Sequence, residues 1–208
     1  MGNNSVPSAG VVFTIGHSSL TMAEFIGLLR ANEIKVLIDI RSQPYSKYSP
    51  HFNSAALQAV TAEQGLQFLL LGRELGGRPT EREYYDDDGY VLYYKLALAP
   101  NFLAGMARLE QIVATARTAI LCSEENPEQC HRHLLVGKVL AERGLLVYHI
   151  RGDGRIQTAL DLEQSKNLGP GLGGQLELFE TGLIWRSPIP CCLGRRGNKR
   201  NKTGLLSN

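Results

Sequence analysis

Short apolar runs alternate with helix-like segments along most of the chain. The runs are rich in Val, Ile and Leu, and polar residues or glycines bound them, which is typical of buried strands. We predict five strands, at residues 11–15, 35–40, 67–71, 118–122 and 145–150.

Capping residues between these runs mark the predicted helices. Thr21 with Glu24 forms a capping box, and Asn126 precedes Pro127, whose missing N–H costs nothing at the first helical position. Strands separated by helices pair in parallel through right-handed crossovers. The pattern therefore predicts an α/β fold, a single doubly wound, mainly parallel sheet flanked by helices. The predicted helices begin near residues 21, 54, 101, 126 and 156, and the last two end at residue 144 and near residue 166.

The composition divides the chain into three parts. Residues 1–10 are predicted to be a flexible N-terminus, 11–167 the α/β domain, and 168–208 a flexible C-terminal tail that begins with a glycine-rich linker. Inside the domain, residues 72–94 interrupt the alternation and hold five of the eight tyrosines. This insertion is either a lid that faces the substrate or a surface hairpin whose tyrosines pack on the body.

Composition also narrows the class of protein. Hydrophobic residues make up 43% of the chain, enough for a sizeable core, and a net charge of +2 neither requires nor excludes a polyanionic partner. No apolar run approaches the roughly 20 residues of a membrane span, and the N-terminus lacks the pattern of a secretory signal. The four cysteines are too few for a disulfide scaffold. We therefore expect a cytoplasmic protein without a membrane partner.

Polar and reactive residues follow the predicted strands. The carboxyl ends of parallel strands share one edge of the sheet, and folds of this type bind ligands there. We therefore expect a functional site at that edge. The residues at the strand ends are His17 and Ser18, Asp39 and Arg41, Cys122 and Glu124, and finally His149, Arg151 and Asp153.

The turn from Cys122 to Arg132 carries the most distinctive chemistry. Cys122 ends a strand, and Cys130 follows after seven intervening residues, beside His131. A cysteine near a cation or a helix N-terminus can have its pKa lowered from about 8.5 to ~3.5–7.5. Three interpretations remain open: a cysteine nucleophile with His131 or His17 as its base, a metal site, or buried cysteines that only pack.

These interpretations assign roles to the strand-end residues. The catalytic candidates are Cys122, Cys130, His131, His17 and Glu124. The candidates for binding an anionic substrate are Arg41, Arg132, Asp39, Ser18 and His149. A cysteine nucleophile needs no cofactor. The alternative cofactor is a metal ion held by Cys122, Cys130 and His131.

Several segments resemble one known family. They are TIGHSSLTMAEFIGLLRANEI, VLIDIRSQPYSKYSPHF, LGGRP, LCSEENPEQCHRHLL and VYHI, in this order. Together they are similar, over about residues 12–165, to the bacterial and archaeal family called domain of unknown function 488. The resemblance implies the same α/β fold but no established reaction. The positions that match the family motifs are Gly16, His17, Ser18, Asp39, Arg41, Pro44, Cys122, Glu124, Cys130, His131, Arg132 and His149.

The tail carries a short peptide of its own. Gln175, Leu176, Leu178 and Phe179 resemble the Q-L-x-L-F peptide by which bacterial replication and repair proteins bind the DNA sliding clamp, with three apolar anchors and one amide. The alternative is a terminal segment that docks on its own domain. A basic run from residue 195 to 202 follows and could contact a nucleic-acid backbone. Trp185, Cys191 and Cys192 receive no role.

The preferred hypothesis is a cysteine-dependent hydrolase or transferase. Its Cys/His/Arg site would act on an anionic substrate, such as a nucleotide or nucleic acid, and the tail would link it to DNA replication or repair. A second hypothesis is a non-catalytic nucleic-acid-binding or adaptor module. A third is a metal-binding protein.

Overall fold

The fold is built on one six-stranded sheet. A computed structural model describes residues 10–158, 161–162 and 185–191. Its strands lie in the order β3-β2-β4-β1-β5-β6, all parallel except β6, which pairs antiparallel with β5. The α/β prediction is therefore confirmed. The strands are β1 (Val11–Gly16), β2 (Val36–Asp39), β3 (Gln67–Leu70), β4 (Thr118–Cys122), β5 (Leu146–Ile150) and β6 (Ile156–Thr158).

Helices cover both faces of the sheet. The helices are α1 (Met22–Ala31), α2 (Ser54–Glu63), α3 (Gly72–Leu75), α4 (Tyr93–Leu96), α5 (Pro100–Val113) and α6 (Lys138–Glu142). One apolar core joins α1 and α2 to the sheet, and a second core joins α4, α5 and α6 to the opposite face. Successive side chains of a strand point to opposite faces, so β1 sends Val12 into one core and Phe13 into the other. Burial on both faces explains why the strands read as continuous apolar runs.

Strand β4 places its carboxyl end between two other strand ends. It is buried along its whole length and lies between β2 and β1, where Cys122 pairs with Gly16 and Leu121 with Asp39. Beyond the strands, the His17 N–H donates to the Cys122 carbonyl at 3.1 Å. The loops that follow β1, β2 and β4 therefore leave the sheet side by side.

The helix predicted from residue 126 to 144 is not a single α-helix. Asn126 caps only one 3-10 turn, Pro127–Gln129, by accepting from the Glu128 N–H at 3.1 Å. Cys130 then adopts an extended backbone with φ −124° and ψ 138°, which ends the turn. A π-helical stretch, Arg132–Gly137, follows and continues as α6. The break at Cys130 lets this residue line a cavity. Short π-helical stretches such as Arg132–Gly137 occur often at functional sites.

The prediction of a helix from residue 156 is wrong for its first three residues, which form β6. Gly154, at φ +86°, closes a turn in which its N–H donates to the Arg151 carbonyl at 2.9 Å. The chain therefore reverses beside β5 and pairs with its free edge. A tight turn next to an unpaired edge outweighs the local helical pattern. Residues 159–160 and 163–167 lie outside the described part of the chain.

The insertion between β3 and α5 contains a short hairpin. Tyr85 and Val91 form an antiparallel bridge around a turn with Gly89 at φ +88°. Tyr85 and Tyr93 are both buried in the core on the side of α5. Tyr85 and Tyr93 therefore fit the interpretation of the insertion as a hairpin whose tyrosines pack on the body. Tyr93 also lines the cavity described below.

A terminal strap, residues 185–191, returns to this insertion. Ser187 N–H donates to the Val91 carbonyl at 2.8 Å, and the Trp185 indole N–H donates to the Leu134 carbonyl at 2.7 Å. The strap therefore ties the insertion to the helix that follows Cys130. Within residues 10–158, 161–162 and 185–191, every helix is too short or too polar to cross a bilayer.

Candidate functional site

Two cysteines and a histidine meet at the end of β4. The Cys122 sulfur lies 3.6 Å from His131 Nδ1, and the Cys130 sulfur lies 4.0 Å from the same nitrogen. Both cysteines are buried, and neither they nor Cys191 form a disulfide. Because the helix is broken at Cys130, the side chains of the neighbouring residues Cys130 and His131 can both lie close to the Cys122 sulfur.

The imidazole of His131 is held in one orientation. Its Nε2 lies 3.1 Å from the Ile40 carbonyl, which can only accept, so Nε2 carries a proton and Nδ1 faces the sulfurs. Gly77 packs against the other side of the ring, since a Cβ there would lie 2.5 Å from His131 Cγ. The ring is therefore fixed by β2 on one side and by the insertion on the other.

The two thiols differ in protonation. A hydrogen bond from Cys130, together with His131 and Arg132, holds the pKa of Cys122 well below its usual value, and this outweighs the opposing effect of burial. Burial and the adjacent Cys122 raise the pKa of Cys130 well above its usual value. Burial opposes charge on His131, but the Cys122 thiolate outweighs it, so the pKa of His131 is raised. These directions favour a thiolate on Cys122, a protonated His131 and a neutral thiol on Cys130.

Arg132 supplies a buried positive charge beneath this pair. Its side chain is 0% exposed, and its Nη2 donates to the Glu125 carbonyl. Its Nε and Nη1 have no hydrogen-bond partner among the described residues. Burial lowers the pKa of Arg132. Gly16 makes room for the Glu124 backbone and for the guanidinium, because a Cβ at this position would lie 1.8 Å from the Glu124 carbonyl oxygen and 2.6 Å from Arg132 Nη1.

Arg41 is anchored on three sides. Its Nε and Nη2 donate to the two Asp39 carboxylate oxygens at 2.9 and 2.6 Å, and its Nη2 also donates to the Phe52 carbonyl. Its Nη1 lies 3.1 Å from His17 Nε2, while His17 Nδ1 lies 3.2 Å from the Ser18 carbonyl. Burial and Arg41 lower the pKa of His17. His17 is therefore a neutral acceptor for Arg41, and His131 is the imidazole that faces the thiols.

A cavity of about 310 Å³ opens in front of the sulfurs. Two arginines, Arg41 and Arg78, and one carboxylate, Glu124, line it, and the charge of Arg41 is already paired with Asp39. Arg78 is therefore the lining arginine that can attract a small anionic group next to Cys122. Its other lining residues include Ser42, Gln43, Tyr45, Gly77, Tyr93, Cys122, Ser123, Gln129, Cys130, His131 and residues 187–189 and 191.

Some of the predicted site residues lie away from this cavity. Ser18 is exposed, with φ +38°, and accepts from His17. His149 is buried, bonded to Thr14 Oγ1 at 2.7 Å and to His133 Nδ1 at 3.2 Å. Asp39 and Arg132 support other groups rather than line the cavity. The clamp-like peptide, Gln175, Leu176, Leu178 and Phe179, lies outside the described residues.

Several residues of the site were missed by the sequence analysis. Arg78 and Gly77 belong to the segment LGGRP, which the resemblance had marked without giving it a role. Tyr93 lines the cavity, and burial raises its pKa, so its phenol stays neutral. Cys191 and the strap close one wall. No local pattern marks the strap, because its contacts join residues 96 positions apart.

The three donors are also close enough together to bind one metal ion. The sulfurs of Cys122 and Cys130 and Nδ1 of His131 lie within 4.8 Å of one another. In a tetrahedron with Zn–S bonds of ~2.3 Å and Zn–N bonds of ~2.0 Å, sulfur and nitrogen are ~3.5 Å apart; the Cys122 sulfur matches this distance at 3.6 Å, and the Cys130 sulfur, at 4.0 Å, would have to move closer. The Ile40 carbonyl orients the imidazole as such sites require. These residues could therefore hold a thiophilic ion and leave a fourth position facing the cavity.

The chain was compared with known families, proteins and structures. No curated protein and no solved structure matches it. A family model with the description "Domain of unknown function DUF488" matches residues 21–139, more than half of the chain, and this region contains Arg41, Cys122 and His131. The chain therefore belongs to the family described as Domain of unknown function DUF488.

Proposed function

We propose that the protein is a cysteine-dependent hydrolase or transferase that acts on an anionic substrate, such as a nucleotide or nucleic acid. The observation that carries this proposal is the contact of Cys122 with His131, 3.6 Å apart, at the wall of an arginine-lined cavity. A thiolate is the nucleophilic form of cysteine. Cys122 is the cysteine whose pKa is lowered, so it is the nucleophile.

The reaction uses three side chains. The Cys122 thiolate attacks an electrophilic centre of the substrate, and the bond from sulfur to this centre forms as the bond to the leaving group breaks. The protonated His131 gives its proton from Nδ1 to the leaving group. Water or an acceptor then takes the group from sulfur and returns a proton to His131. Cys130 donates a hydrogen bond to the thiolate, while Arg78 attracts the anion.

The test measures alkylation of Cys122 by iodoacetamide against pH. The wild type should react at pH values well below the ~8.5 of an ordinary thiol, and Cys122→Ser should lose this reaction while Cys191→Ser keeps it. Cys191 is a matched control because it lines the same cavity. Titration of the described cysteines only near or above ~8.5 would remove the nucleophile.

The proposal includes a link to DNA replication or repair through the tail. It is supported by the Q-L-x-L-F-like peptide after a glycine-rich linker. In a pull-down with sliding clamp, the wild type should be retained and the double variant Leu178→Ala, Phe179→Ala should not. Equal recovery of both proteins would dispose of this link, and the thiol chemistry would stand without it.

A metal centre is the second candidate, favoured by the proximity of the donor atoms of Cys122, Cys130 and His131, which lie within 4.8 Å of one another. An ion there would supply Lewis-acid chemistry at the fourth position. Elemental analysis of the purified protein should then give one zinc or similar ion per chain, lost in Cys130→Ser. A metal content well below one per chain, also after incubation with Zn²⁺, would end this candidate.

A non-catalytic nucleic-acid-binding or adaptor module is the alternative function, and the same variants test it. Salt-dependent retention on DNA or RNA that is unchanged in Cys122→Ser, combined with ordinary thiol titration, would favour that function. Absence of binding to either polymer at low salt would count against it.

A further inference from the structure

The loop between β2 and α2 carries two unusually exposed aromatic rings. Tyr45 is 75% exposed and Tyr48 is 84% exposed, more than any other large apolar side chain in the described residues. Such rings cost free energy in water when they contact nothing. Exposed aromatic residues beside a charged cavity are candidates for binding a partner.

Hydrogen bonds fix the backbone of this loop. The Ser46 N–H donates to Asn53 Oδ1 at 2.6 Å, and Ser46 Oγ accepts from the N–H groups of Tyr48 and Ser49 at 3.1 and 3.3 Å. At the base of the loop, the Ser54 N–H donates to the Pro44 carbonyl at 3.0 Å. The rings are therefore presented by an ordered backbone, which lowers the entropy that a ligand must remove on binding.

The rings stand next to positive charge. Tyr45 lines the same cavity as Arg41 and Arg78, and the Lys47 ammonium lies 5.0 Å from the centre of the Tyr48 ring. A ligand that fits this surface has flat π-faces joined to negatively charged groups. Single-stranded nucleic acid has this combination, since bases stack on aromatic rings while cations track the backbone.

We propose that Tyr45 and Tyr48 form a base-stacking platform for single-stranded nucleic acid, whose phosphate enters the cavity beside Arg41 and Arg78. This inference rests on the proposed function and names its substrate class. A base next to a phosphate also occurs in a free mononucleotide. Two exposed rings, three positions apart in the loop, favour a strand with at least two bases.

The platform is tested by fluorescence anisotropy with a labelled oligothymidylate of about ten nucleotides, within the usual site sizes. Tyr45→Ala and Tyr48→Ala should each weaken binding roughly 5- to 150-fold, the cost of losing one stacked base. Tyr45→Phe should bind like the wild type, because it keeps the ring. Tyr94→Ala is the matched control, since Tyr94 is 42% exposed but does not line the cavity, and it should bind normally.

Four outcomes would overturn the platform: no binding at low salt, equal affinity of the wild type and the Tyr45→Ala, Tyr48→Ala double variant, equal affinity for a duplex, or a mononucleotide bound as tightly as the oligomer. Iodoacetamide alkylation of Cys122 is measured on the same samples. If Cys122 is alkylated at low pH but binding does not depend on the two tyrosines, the platform is wrong and the proposed chemistry stands. If Cys122 is alkylated only at the pH of an ordinary thiol, the proposed chemistry is wrong.

Discussion

The two buried arginines at the strand ends have opposite surroundings. Arg41 forms an ion pair with Asp39, with contacts of 2.9 and 2.6 Å. It also contacts the Phe52 carbonyl and the His17 imidazole. Arg132 is more deeply buried, but its side chain donates to one backbone carbonyl, that of Glu125, and two of its nitrogens have no partner among the described residues. Burial alone therefore does not distinguish them.

The difference lies in which anion each arginine serves. The charge of Arg41 is balanced by a permanent carboxylate, so Arg41 is a rigid part of the fold that also lines the cavity. Cys130 and His131 have the larger effects in lowering the pKa of Cys122, and the charge of Arg132 lowers it further. The groups that favour the charged form of Arg132 are Cys130, Cys122 and Glu125, and a thiolate can take up a proton. Arg41 is thus paired within the fold, whereas Arg132 affects the protonation of Cys122.

The largest effect on stability is expected from Asp39→Asn. This change leaves Arg41 buried with an uncompensated charge, which costs about 3–5 kcal/mol of the free energy of unfolding. Urea denaturation measures it. The control is Glu110→Gln, which removes the partly exposed Arg143–Glu110 pair and should cost only about 0.2–1 kcal/mol. A loss below about 1 kcal/mol for Asp39→Asn would show that Arg41 does not depend on this carboxylate.

Acid should destabilise the protein through His149. Burial, then His133, Arg132 and Arg151, lower the pKa of this side chain to about 3. Between this value and ~6.5 the unfolded chain binds a proton that the folded chain does not, so stability falls as the pH falls through this window. The loss from pH 7 to pH 5 is about 2 kcal/mol.

The measurement for His149 compares urea unfolding at the two pH values. His149→Gln removes the titrating group and should reduce the difference by about 2 kcal/mol. The same pH dependence in His149→Gln and the wild type would mean that His149 is not held neutral.

Gly77→Ala tests the support of His131 on the side opposite β2. The new Cβ would lie 2.5 Å from His131 Cγ, so the ring must move, at about 1–3 kcal/mol of stability. The displaced imidazolium then stabilises the thiolate less, so the pKa of Cys122 should rise and its alkylation at neutral pH should slow.

The matched control for that change is Gly27→Ala. Gly27 lies in α1 with no described atom within 4 Å of the position of its Cβ, so alanine should stabilise the helix by about 0.5–1 kcal/mol. Unchanged alkylation in Gly77→Ala would mean that the orientation of His131 does not control the thiol.

The smallest effect on stability is expected from Arg132→Met. The Cys122 thiolate, whose pKa Arg132 lowers, can take up a proton, so no buried charge is left alone, and the free energy of unfolding should stay within about 1 kcal/mol of the wild type. The pKa of Cys122 should nevertheless rise. A loss as large as that of Asp39→Asn, with unchanged thiol titration, would reverse the roles assigned to the two arginines.

Local patterns predicted the fold and the centre of the site. Strand β4 has the predicted bounds, because a buried apolar run is read the same way from sequence and from structure. Parallel pairing then predicted that Cys122 and Arg41 share one edge, and both line the cavity. Cys130 and His131 follow β4 closely enough in sequence to have been included.

Contacts between distant segments could not be predicted. The turn at Gly154 pairs β6 with the edge of β5, which the local helical pattern did not indicate. His149 was expected at the site because it lies near the end of β5, but its side chain points into the face that holds Thr14 and His133. The role of Gly77 depends on the shape of the His131 ring beside it, which no spacing in the sequence encodes.

The return of the strap to the insertion has a consequence for biosynthesis. Val91 and Ser187 exchange two hydrogen bonds, at 2.8 and 2.9 Å, across 96 positions of the chain. A ribosome releases the N-terminal part of a chain first. The six described strands therefore emerge before residues 185–191, which form one wall of the cavity. During translation, Cys122, Cys130 and His131 are therefore synthesised before the segment that closes this wall of the cavity.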